Sequence, residues 1–188
     1  MLFFISGFGG AGKDTIANAV LESLGIKKLV TYTTREPRKG EVDGLDYYFV
    51  SEEDFVHKSY QNFWLECRKY DFVGKRDIVR YATPKYSDYE TTYLSWGSVD
   101  QAIKIRQRNS DPNMYWIHIQ VSPRERLNRM LNRATSDIMV IEACRRLYQD
   151  HLDFKEVEDE FCPDFVVENQ DGELDKAIST VIQIIERM

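Results

Sequence analysis

The N-terminal stretch 1–25 constrains the fold most, because it places a buried strand, a glycine-rich loop and a helix in direct succession. Residues 2–5 are wholly apolar, which is the pattern of a strand buried on both faces. Residues 7–15 then read Gly-Phe-Gly-Gly-Ala-Gly-Lys-Asp-Thr. Apolar residues at helical spacing follow as far as Leu24, and Gly25 stands where a helix end favours a left-handed residue. This order predicts an α/β domain that begins with a phosphate-binding P-loop.

The residue types of the loop suit phosphate binding. Glycines allow successive backbone N–H groups to turn towards the oxygens of an anion, and the positive end of the next helix points to the same place. Lys13 would place a cation over a transferring phosphate. We therefore expect the phosphates of a donor nucleotide to be bound by Gly7, Gly9, Gly10, Ala11, Gly12, Lys13, Asp14 and Thr15.

One position of the loop departs from the usual pattern. A P-loop lysine is normally followed by a Ser or Thr whose hydroxyl binds magnesium, whereas here Asp14 follows Lys13 and Thr15 comes one place later. A carboxylate oxygen is also a hard ligand of the type that magnesium prefers. We expect Asp14 to help hold Mg²⁺ and Thr15 to contact a phosphate.

Length and charge limit the possible classes of function. A chain of 188 residues is one domain with room for a sizeable core. Its net charge of −6 argues against general binding to nucleic acid or to a membrane surface, so an anion site must be built from local clusters of basic residues. The three cysteines match no metal or redox spacing, and no stretch reaches membrane-spanning length. We expect a cytoplasmic protein without nucleic-acid or membrane partners.

A long run of spaced residues lies beyond a second predicted strand at 29–34. Residues 33–50 read Thr-Thr-Arg-x-Pro-Arg-x-Gly-Glu-x-x-Gly-x-Asp-Tyr-x-Phe-Val, and Phe55 and the pair Leu65-Glu66 follow. Together with the P-loop, this run resembles the guanylate kinases, a family of P-loop nucleoside monophosphate kinases. The resemblance implies an α/β three-layer sandwich with a five-stranded parallel core sheet, a small mixed-β subdomain that binds the nucleoside monophosphate, and a helical lid.

The resemblance also divides the chain. It implies a single guanylate-kinase-like domain over 1–188, whose monophosphate-binding subdomain covers about 31–84 and whose lid covers about 123–146. The core would then consist of about 1–30, 85–122 and 147–188.

The family's acceptor site transfers onto matching positions of this chain. Arg35, Arg38 and Tyr47 would hold the acceptor's phosphate, since guanidinium groups suit phosphate and a phenol adds one donor. Glu66 would accept two hydrogen bonds from guanine, because adenine presents no matching pair of donors on that edge. Thr31 would line this site with its hydroxyl. The alternative is a solvated basic hairpin and a surface carboxylate, which the surrounding motif disfavours.

Beyond Glu66 the match loosens, because a longer segment at 67–79 comes before the next family motif. Tyr81 aligns with the family's second phosphate-binding tyrosine, with Tyr70 as a competing candidate, and Thr83 aligns with its guanine-contacting hydroxyl. At the end of the next strand the family has Asp-x-Asp-x-x-Gly, where this chain has residues 95–97, Ser-Trp-Gly. We hypothesise that Asp14 compensates for the missing metal ligand.

The segment 123–146 resembles the family's lid. The family has a helix that ends in Arg-Gly-Thr and a second helix with Arg-Leu, and this chain has Arg133-Ala134-Thr135 and Arg146-Leu147. Arginines on a closing lid stabilise the charge of a transferring phosphoryl group and exclude water. We expect this role of Arg133 and of one of Arg145 and Arg146. Three further arginines are expected at the surface: Arg124, Arg126 and Arg129.

Two residues outside the motif are assigned individually. Asn169 lies at the corner that borders the adenine of ATP in the family, so it is a candidate for the donor pocket, with loop capping as the alternative. His118 lies on a predicted strand and is expected to be a packed histidine rather than a catalyst.

The sequence therefore favours a kinase that transfers a phosphoryl group from ATP to a nucleoside monophosphate, GMP or dGMP first. ATP and Mg²⁺ are the implied cofactors, small nucleotides the implied partners, and the protein a monomer or homodimer. Two alternatives stay open. Ribose 1,5-bisphosphate phosphokinases of the same wider family share the Lys-Asp-Ser/Thr loop and lack the two aspartates, and non-catalytic guanylate-kinase-like modules bind phosphorylated partners.

Overall fold

A computed structural model describes residues 1–71, 78–88, 90–108 and 113–188, with residues 70 and 71 described by their backbone. The strands of this part of the chain are β1 (Leu2–Ser6), β2 (Lys27–Lys28), β3 (Tyr32–Thr33), β4 (Tyr48–Phe49), β5 (Trp64–Asp71), β6 (Ile78–Pro84), β7 (Tyr93–Gly97), β8 (Met114–Gln120) and β9 (Phe165–Glu168). The helices are α1 (Lys13–Leu24), α2 (Glu52–Tyr60), α3 (Val99–Arg108), α4 (Pro123–Asn132), α5 (Asp137–Val157) and α6 (Leu174–Arg187), and one 3-10 turn covers Glu158–Glu160.

The strands form two sheets. The core sheet has five strands in the order β2-β7-β1-β8-β9, and every pair in it is parallel. The smaller sheet has four strands in the order β4-β3-β6-β5, with β3 parallel to β4 and antiparallel to β6, and β5 antiparallel to β6. The predicted parallel core and the mixed sheet of the subdomain are both confirmed.

The central strand β1 is buried on both faces, as its composition requires. Phe3 and Ile5 face one layer, where they pack in a cluster with α1 and α6. Leu2 and Phe4 face the other layer and pack with α3. Because side chains alternate along a strand, four consecutive apolar residues supply both halves of the core.

The helix starts follow the local capping rules. Ser51 caps α2 by accepting a hydrogen bond from Asp54 N. Ser122 caps α4 by accepting one from Glu125 N, and Pro123 occupies the first helical position. Gly25 ends α1 in the left-handed conformation with φ of 62°.

The predicted second strand at 29–34 is wrong as a single element. Lys27 and Lys28 pair with β7 in the core sheet, and Tyr32 and Thr33 pair with β6 in the smaller sheet. Leu29 N still donates to Leu94 O of the core sheet, whereas Tyr32 and Thr33 already pair in the smaller sheet, so the chain passes from one sheet to the other within this stretch.

The extra residues 67–79 extend a hairpin. Cys67 pairs with Ala82 and the ladder continues to Asp71 opposite Ile78, while the tip at 72–77 lies outside the described residues. The extension therefore continues the two strands that carry Glu66 and Thr83. The side chain of Tyr70, the competing candidate, also lies outside the described part of the structure.

Two further sequence expectations are corrected. Arg126, expected at the surface, is 5% exposed and faces the P-loop. The sequence Ser98-x-x-Gln101 predicts a capping box at the start of α3. Ser98 does accept from Gln101 N, but the Gln101 side chain turns into the interior instead of back to the helix start. His118 is buried, as predicted. Within the described ranges, no helix combines the length and apolar character that crossing a membrane requires.

Candidate active site

The loop between β1 and α1 has the backbone of an anion cradle. Gly10 and Gly12 have φ of 81° and 85°, in the left-handed region that glycine adopts readily. Ala11 N donates to Phe8 O over 3.1 Å, and α1 starts at Lys13 with its amides directed towards the loop. Residues 7–13 thus form a phosphate-binding loop at the carboxyl end of a central parallel strand, where ligands of such sheets bind.

Asn169 supports this loop from the end of β9. It is 1% exposed, and its Nδ2 donates to Ala11 O over 2.9 Å. A Cβ at Gly12 would lie 2.8 Å from that same Nδ2, so the glycine is needed for the close approach. Arg129, another arginine expected at the surface, donates from Nη2 to Asn169 O over 2.8 Å.

Asp14 contacts the residue that replaces part of the missing Asp-x-Asp motif. Trp96 Nε1 donates to Asp14 Oδ1 over 2.9 Å, and Asp14 Oδ2 lies 3.9 Å from Lys13 Nζ. Ser95, at the first aspartate position, is buried and its hydroxyl donates to Leu29 O. The two departures from the family pattern are therefore in direct contact.

The residues present fit a magnesium ion that is delivered with a nucleotide. Within the described ranges, no group of three or more His, Cys, Asp and Glu side chains could hold a metal by itself. Magnesium in kinase sites is commonly held by one or two carboxylates together with substrate phosphates. The Asp14 side chain is 71% exposed beside the loop, which is compatible with the predicted role.

A polar cavity of about 310 Å³ lies between the P-loop side of the core and the smaller sheet. It contains the predicted phosphate-binding arginines and tyrosine together with the carboxylate of Asp14. Residues of the cavity wall that the sequence singled out are Asp14, Thr31, Arg35, Arg38, Tyr47 and Ser95. The structure thus brings donor-side and acceptor-side residues to one cleft.

Arg35 is held by several side-chain hydrogen bonds within this cluster. Its Nη1 and Nη2 donate to the two carboxylate oxygens of Glu41 over 2.6 Å each, and its Nε donates to Tyr81 OH over 3.0 Å. The Tyr47 ring centre lies 5.0 Å from the guanidinium carbon. Arg38 N donates to the same carboxylate over 2.7 Å. Tyr81 therefore lies beside the predicted clamp.

The charges in the clamp reinforce one another. The Arg35 hydrogen bonds lower the pKa of Glu41 to about 2, and the same contact raises the pKa of Arg35. Burial raises the pKa of Tyr47, which keeps its phenol protonated and able to donate. The clamp thus has a permanently charged guanidinium and a neutral phenol, the two donor types expected around a phosphate.

The residues predicted to contact guanine, Glu66 and Thr83, lie on two neighbouring strands. Glu66 on β5 is fully buried, and its Oε1 accepts from Thr83 Oγ1 over 2.8 Å. Glu66 pairs with Thr83 across the strands, and Arg68 pairs with Tyr81. Since residues two apart share a face of a sheet, these four side chains lie on the same face. Tyr81, whose hydroxyl accepts from Arg35 Nε, and the buried carboxylate of Glu66 therefore lie on one sheet face.

The predicted lid arginines contact other lid residues. Arg133 donates to Arg129 O over 3.0 Å, and Arg145 and Arg146 both donate to Glu142. The paired arginines lower the pKa of Glu142 to about 2. All three guanidinium groups are at the surface of α4 and α5 and are held by local partners.

Several site residues escaped the sequence reasoning. Glu41 lies inside the recognised motif, but its role as the partner of Arg35 needs the fold. Arg68 could have been found by alternation, because it lies two residues after Glu66 on a strand; its Nε is 3.2 Å from Glu66 Oε2. Asp150 accepts from Gly9 N over 2.9 Å and pairs with Arg126 over 3.2 Å.

A second cavity of about 740 Å³ lies between β8, α4 and α5. Its wall is mostly apolar and includes Phe8, His118, Arg126, Phe154 and Phe161. It touches the P-loop at Phe8. The predicted phosphate-binding residues Arg35, Arg38 and Tyr47 line the smaller cavity, so the chemistry is assigned there.

Comparison with known proteins agrees with this geometry. The guanylate kinase family model matches residues 2–188. The chain is 31% identical to a guanylate kinase of Fusobacterium nucleatum, with 98% of this chain and 95% of that protein covered. It is 30% identical to a guanylate kinase of Latilactobacillus sakei, with 99% and 88% covered. A guanylate kinase structure from Anaplasma phagocytophilum superposes with a TM-score of 0.69 at 23% identity, covering 100% of this chain and 85% of that one.

The structural likeness supports the P-loop kinase fold, and the sequence matches extend over nearly the whole chain. Since Asp14, directly after the loop lysine, shares one cleft with Arg35 and Arg38, and since these matches span the chain, it belongs to the guanylate kinase family and is a nucleoside monophosphate kinase.

Proposed function

We propose that this kinase phosphorylates GMP and dGMP with ATP as the donor. In the reaction, an oxygen of the acceptor's phosphate attacks the γ-phosphorus of ATP in line, the bond to the β-phosphate oxygen breaks, and the products are GDP or dGDP and ADP. The relatives named above are guanylate kinases, which supports this acceptor.

The observation that carries the proposal is the buried carboxylate of Glu66. Its side chain is 0% exposed, and no N–H or O–H of the described residues is aligned to donate a hydrogen bond to its Oε2. A buried acceptor without a donor is costly, so such an atom points to a ligand that supplies one. Guanine presents N–H donors at N1 and at its exocyclic amine, whereas adenine has an acceptor at N1.

The spacing along β6 suits a nucleotide. Tyr81, which contacts the phosphate clamp, and Thr83, which contacts Glu66, are two residues apart on one strand face. That step measures about 7 Å along the strand, and the side chains reach further. A mononucleotide lying along the strand would place its phosphate at Arg35 and its base at Glu66.

Each group then has a defined role in the transfer. Arg35, Arg38 and Tyr47 hold the acceptor's phosphate, and its negative charge competes with Glu41 for the donors of Arg35. Lys13 and the loop amides hold the donor's phosphates and counter the charge that develops on them. The remaining predicted roles are proposals of the same kind: Thr15 on a phosphate, Asn169 beside the donor nucleotide, Tyr81 on the acceptor's phosphate, and Thr31 and Thr83 in the acceptor pocket.

The lid and the metal complete the proposal. Arg133 and one of Arg145 and Arg146 move in with the lid, exchange their local partners for phosphate oxygens and exclude water from the cleft. Asp14 is the carboxylate that would hold a magnesium ion delivered with ATP, and that ion would supply positive charge beside the donor phosphates.

The test is ADP formation from Mg-ATP across GMP, dGMP, AMP, CMP, UMP and ribose 1,5-bisphosphate. We expect turnover with GMP and dGMP alone, and a Glu66→Gln variant with kcat/KM for GMP lowered about 100-fold, because the substitution places an N–H against the donors of guanine. A Glu53→Gln variant changes an exposed carboxylate on α2 and should behave as wild type. Turnover with ribose 1,5-bisphosphate but not GMP would contradict the proposal.

A further inference from the structure

A closed ring of three buried side chains lies at the base-reading end of the acceptor site. Gln101 Nε2 donates to Glu66 Oε1 over 3.1 Å and to Thr83 Oγ1 over 3.0 Å, and Thr83 Oγ1 donates to Glu66 Oε1 over 2.8 Å. Gln101 is 1% exposed, and Glu66 and Thr83 are 0% exposed. Gln101 belongs to α3, so a helix of the core reaches into the acceptor subdomain at this point.

The position of Gln101 depends on Gly97. A Cβ at residue 97 would lie 1.8 Å from Gln101 Oε1 and 2.8 Å from its Cδ, so a side chain there would force the Gln101 amide to move. Gly97 stands at the place of the second aspartate of the family's Asp-x-Asp-x-x-Gly pattern. At the end of β7, this chain thus has a glycine where the family pattern has a side chain. The Gln101 side chain of α3 occupies the space beside it.

The ring fixes how Glu66 is presented. Its Oε1 receives two donors, which uses the two lone pairs of that oxygen. Both donors offset part of the cost of burying the carboxylate. Oε2 remains, 3.2 Å from the Arg68 Nε in an ion pair. One oxygen of the carboxylate is thus fixed by protein donors, and the other is left to accept from a ligand.

We propose that Gln101 is the positioning residue that makes Glu66 a selective reader of guanine, and that Gly97 is the glycine that makes room for it. Gln101 holds Oε1 and thereby directs Oε2 to the N–H donors of the base. This inference rests on GMP as the acceptor. It assigns the neutral amide of α3 to the place where the family pattern has a carboxylate on the β7 end.

Equilibrium binding of GMP and AMP by calorimetry tests the inference without turnover. Gln101→Leu keeps the side-chain volume but removes the donor, so the Kd for GMP should rise about tenfold while the Kd for AMP changes less than about twofold. Gln107→Leu, an exposed glutamine of α3, is the control and should bind as wild type.

A double-mutant cycle tests the role of Gly97. Gly97→Ala should weaken GMP binding in the wild-type background, because the new methyl group displaces Gln101. In a Gln101→Ala background the same substitution should have almost no effect, because the side chain with which it clashes is gone. Parallel thermal unfolding separates a loss of folding from a loss of binding.

The outcomes separate this inference from the proposed function. A Kd for GMP in Gln101→Leu within about twofold of wild type, equal losses for GMP and AMP, or an undiminished Gly97→Ala effect beside Gln101→Ala would each overturn the inference. Wild-type protein that binds GMP no better than AMP would overturn it as well. Wild-type protein that binds GMP selectively but forms no GDP would refute the proposed reaction and leave the role of Gln101 standing.

Discussion

The contact between the P-loop and α5 gives a sharp prediction for folding stability. Asp150 Oδ2 accepts from Gly9 N and faces Arg126 Nη2. The Arg126 side chain is 7% exposed, its Nε is buried without a hydrogen-bond partner among the described residues, and its guanidinium lies 4.8 Å from the Phe8 ring centre. Burial raises the pKa of Asp150 and lowers that of Arg126, so desolvation opposes both charges more than their attraction favours them.

The burial of this pair sets the free-energy cost of removing one partner. Such a pair contributes little compared with apolar residues, but removing one partner strands the other charge. Breaking a fully buried pair costs about 3–5 kcal/mol; since the Asp150 side chain is 26% exposed, we expect about 2 kcal/mol for Asp150→Ala. For a domain of this size that corresponds to a fall in Tm of about 4–8 °C. The double variant Arg126→Leu/Asp150→Ala should lie within about 1 kcal/mol of wild type.

Urea denaturation followed by tryptophan fluorescence measures these free energies of unfolding, with Glu156→Ala as a control that removes an exposed carboxylate from the same helix. An Asp150→Ala variant within about 0.5 kcal/mol of that control would refute the reasoning. A double variant as unstable as Asp150→Ala would also refute it, because the penalty would then not come from a stranded arginine.

Three further predictions follow from the site. Lys13→Met should lower kcat about 10²–10³-fold with an unchanged Tm, measured by ADP release, and Lys39→Met at the exposed end of the loop after β3 should not. Arg35→Lys loses the two-pronged geometry and should raise the KM for the acceptor about 10–100-fold with little change in the KM for ATP; equal changes in both would argue against an acceptor clamp. Burial lowers the pKa of His118 from 6.5 to about 4, so its neutral form favours folding above pH 6.5 and that stability is lost as the pH falls towards 4, by about 3 kcal/mol. His118→Asn should flatten this part of the pH–stability curve, whereas His57→Asn, at an exposed position, should leave it unchanged.

The sequence was most informative where structure is local. The strand, glycine loop and helix at the N-terminus could be predicted because each signal lies next to the element that it defines. The caps at Ser51 and Ser122 are local in the same sense, because each serine stands directly before the helix that it caps. The stretch 29–34 could not be placed, since its residues suit a strand in either sheet, and the choice depends on pairing with β6 and β7, far along the chain.

The candidate site divides in the same way. Arg35 and Glu66 could be found because a dense motif surrounds them, and the structure links them through Tyr81, which accepts from Arg35 and shares a sheet face with Glu66. Their partners lie far away in sequence: Gln101 is 35 residues from Glu66, and Asp150 is 141 residues from Gly9. No local pattern marks such a residue, because its role is created by the packing of α3 or α5 against a distant loop. In the sequence, Gln101 fits the pattern of a capping box. In the fold, its side chain donates instead to the buried carboxylate of Glu66.

The central claim is that this cleft transfers a phosphoryl group to GMP. The most direct measurement is mass spectrometry of the products formed from GMP and Mg-ATP whose γ-phosphate carries heavy oxygen, with AMP in a parallel reaction. We expect GDP that bears the labelled phosphate and ADP without the label. AMP should yield no more labelled product with the wild-type protein than with the Glu66→Gln variant. Unlabelled GMP recovered intact, or label found in inorganic phosphate or in a product of AMP instead, would contradict it.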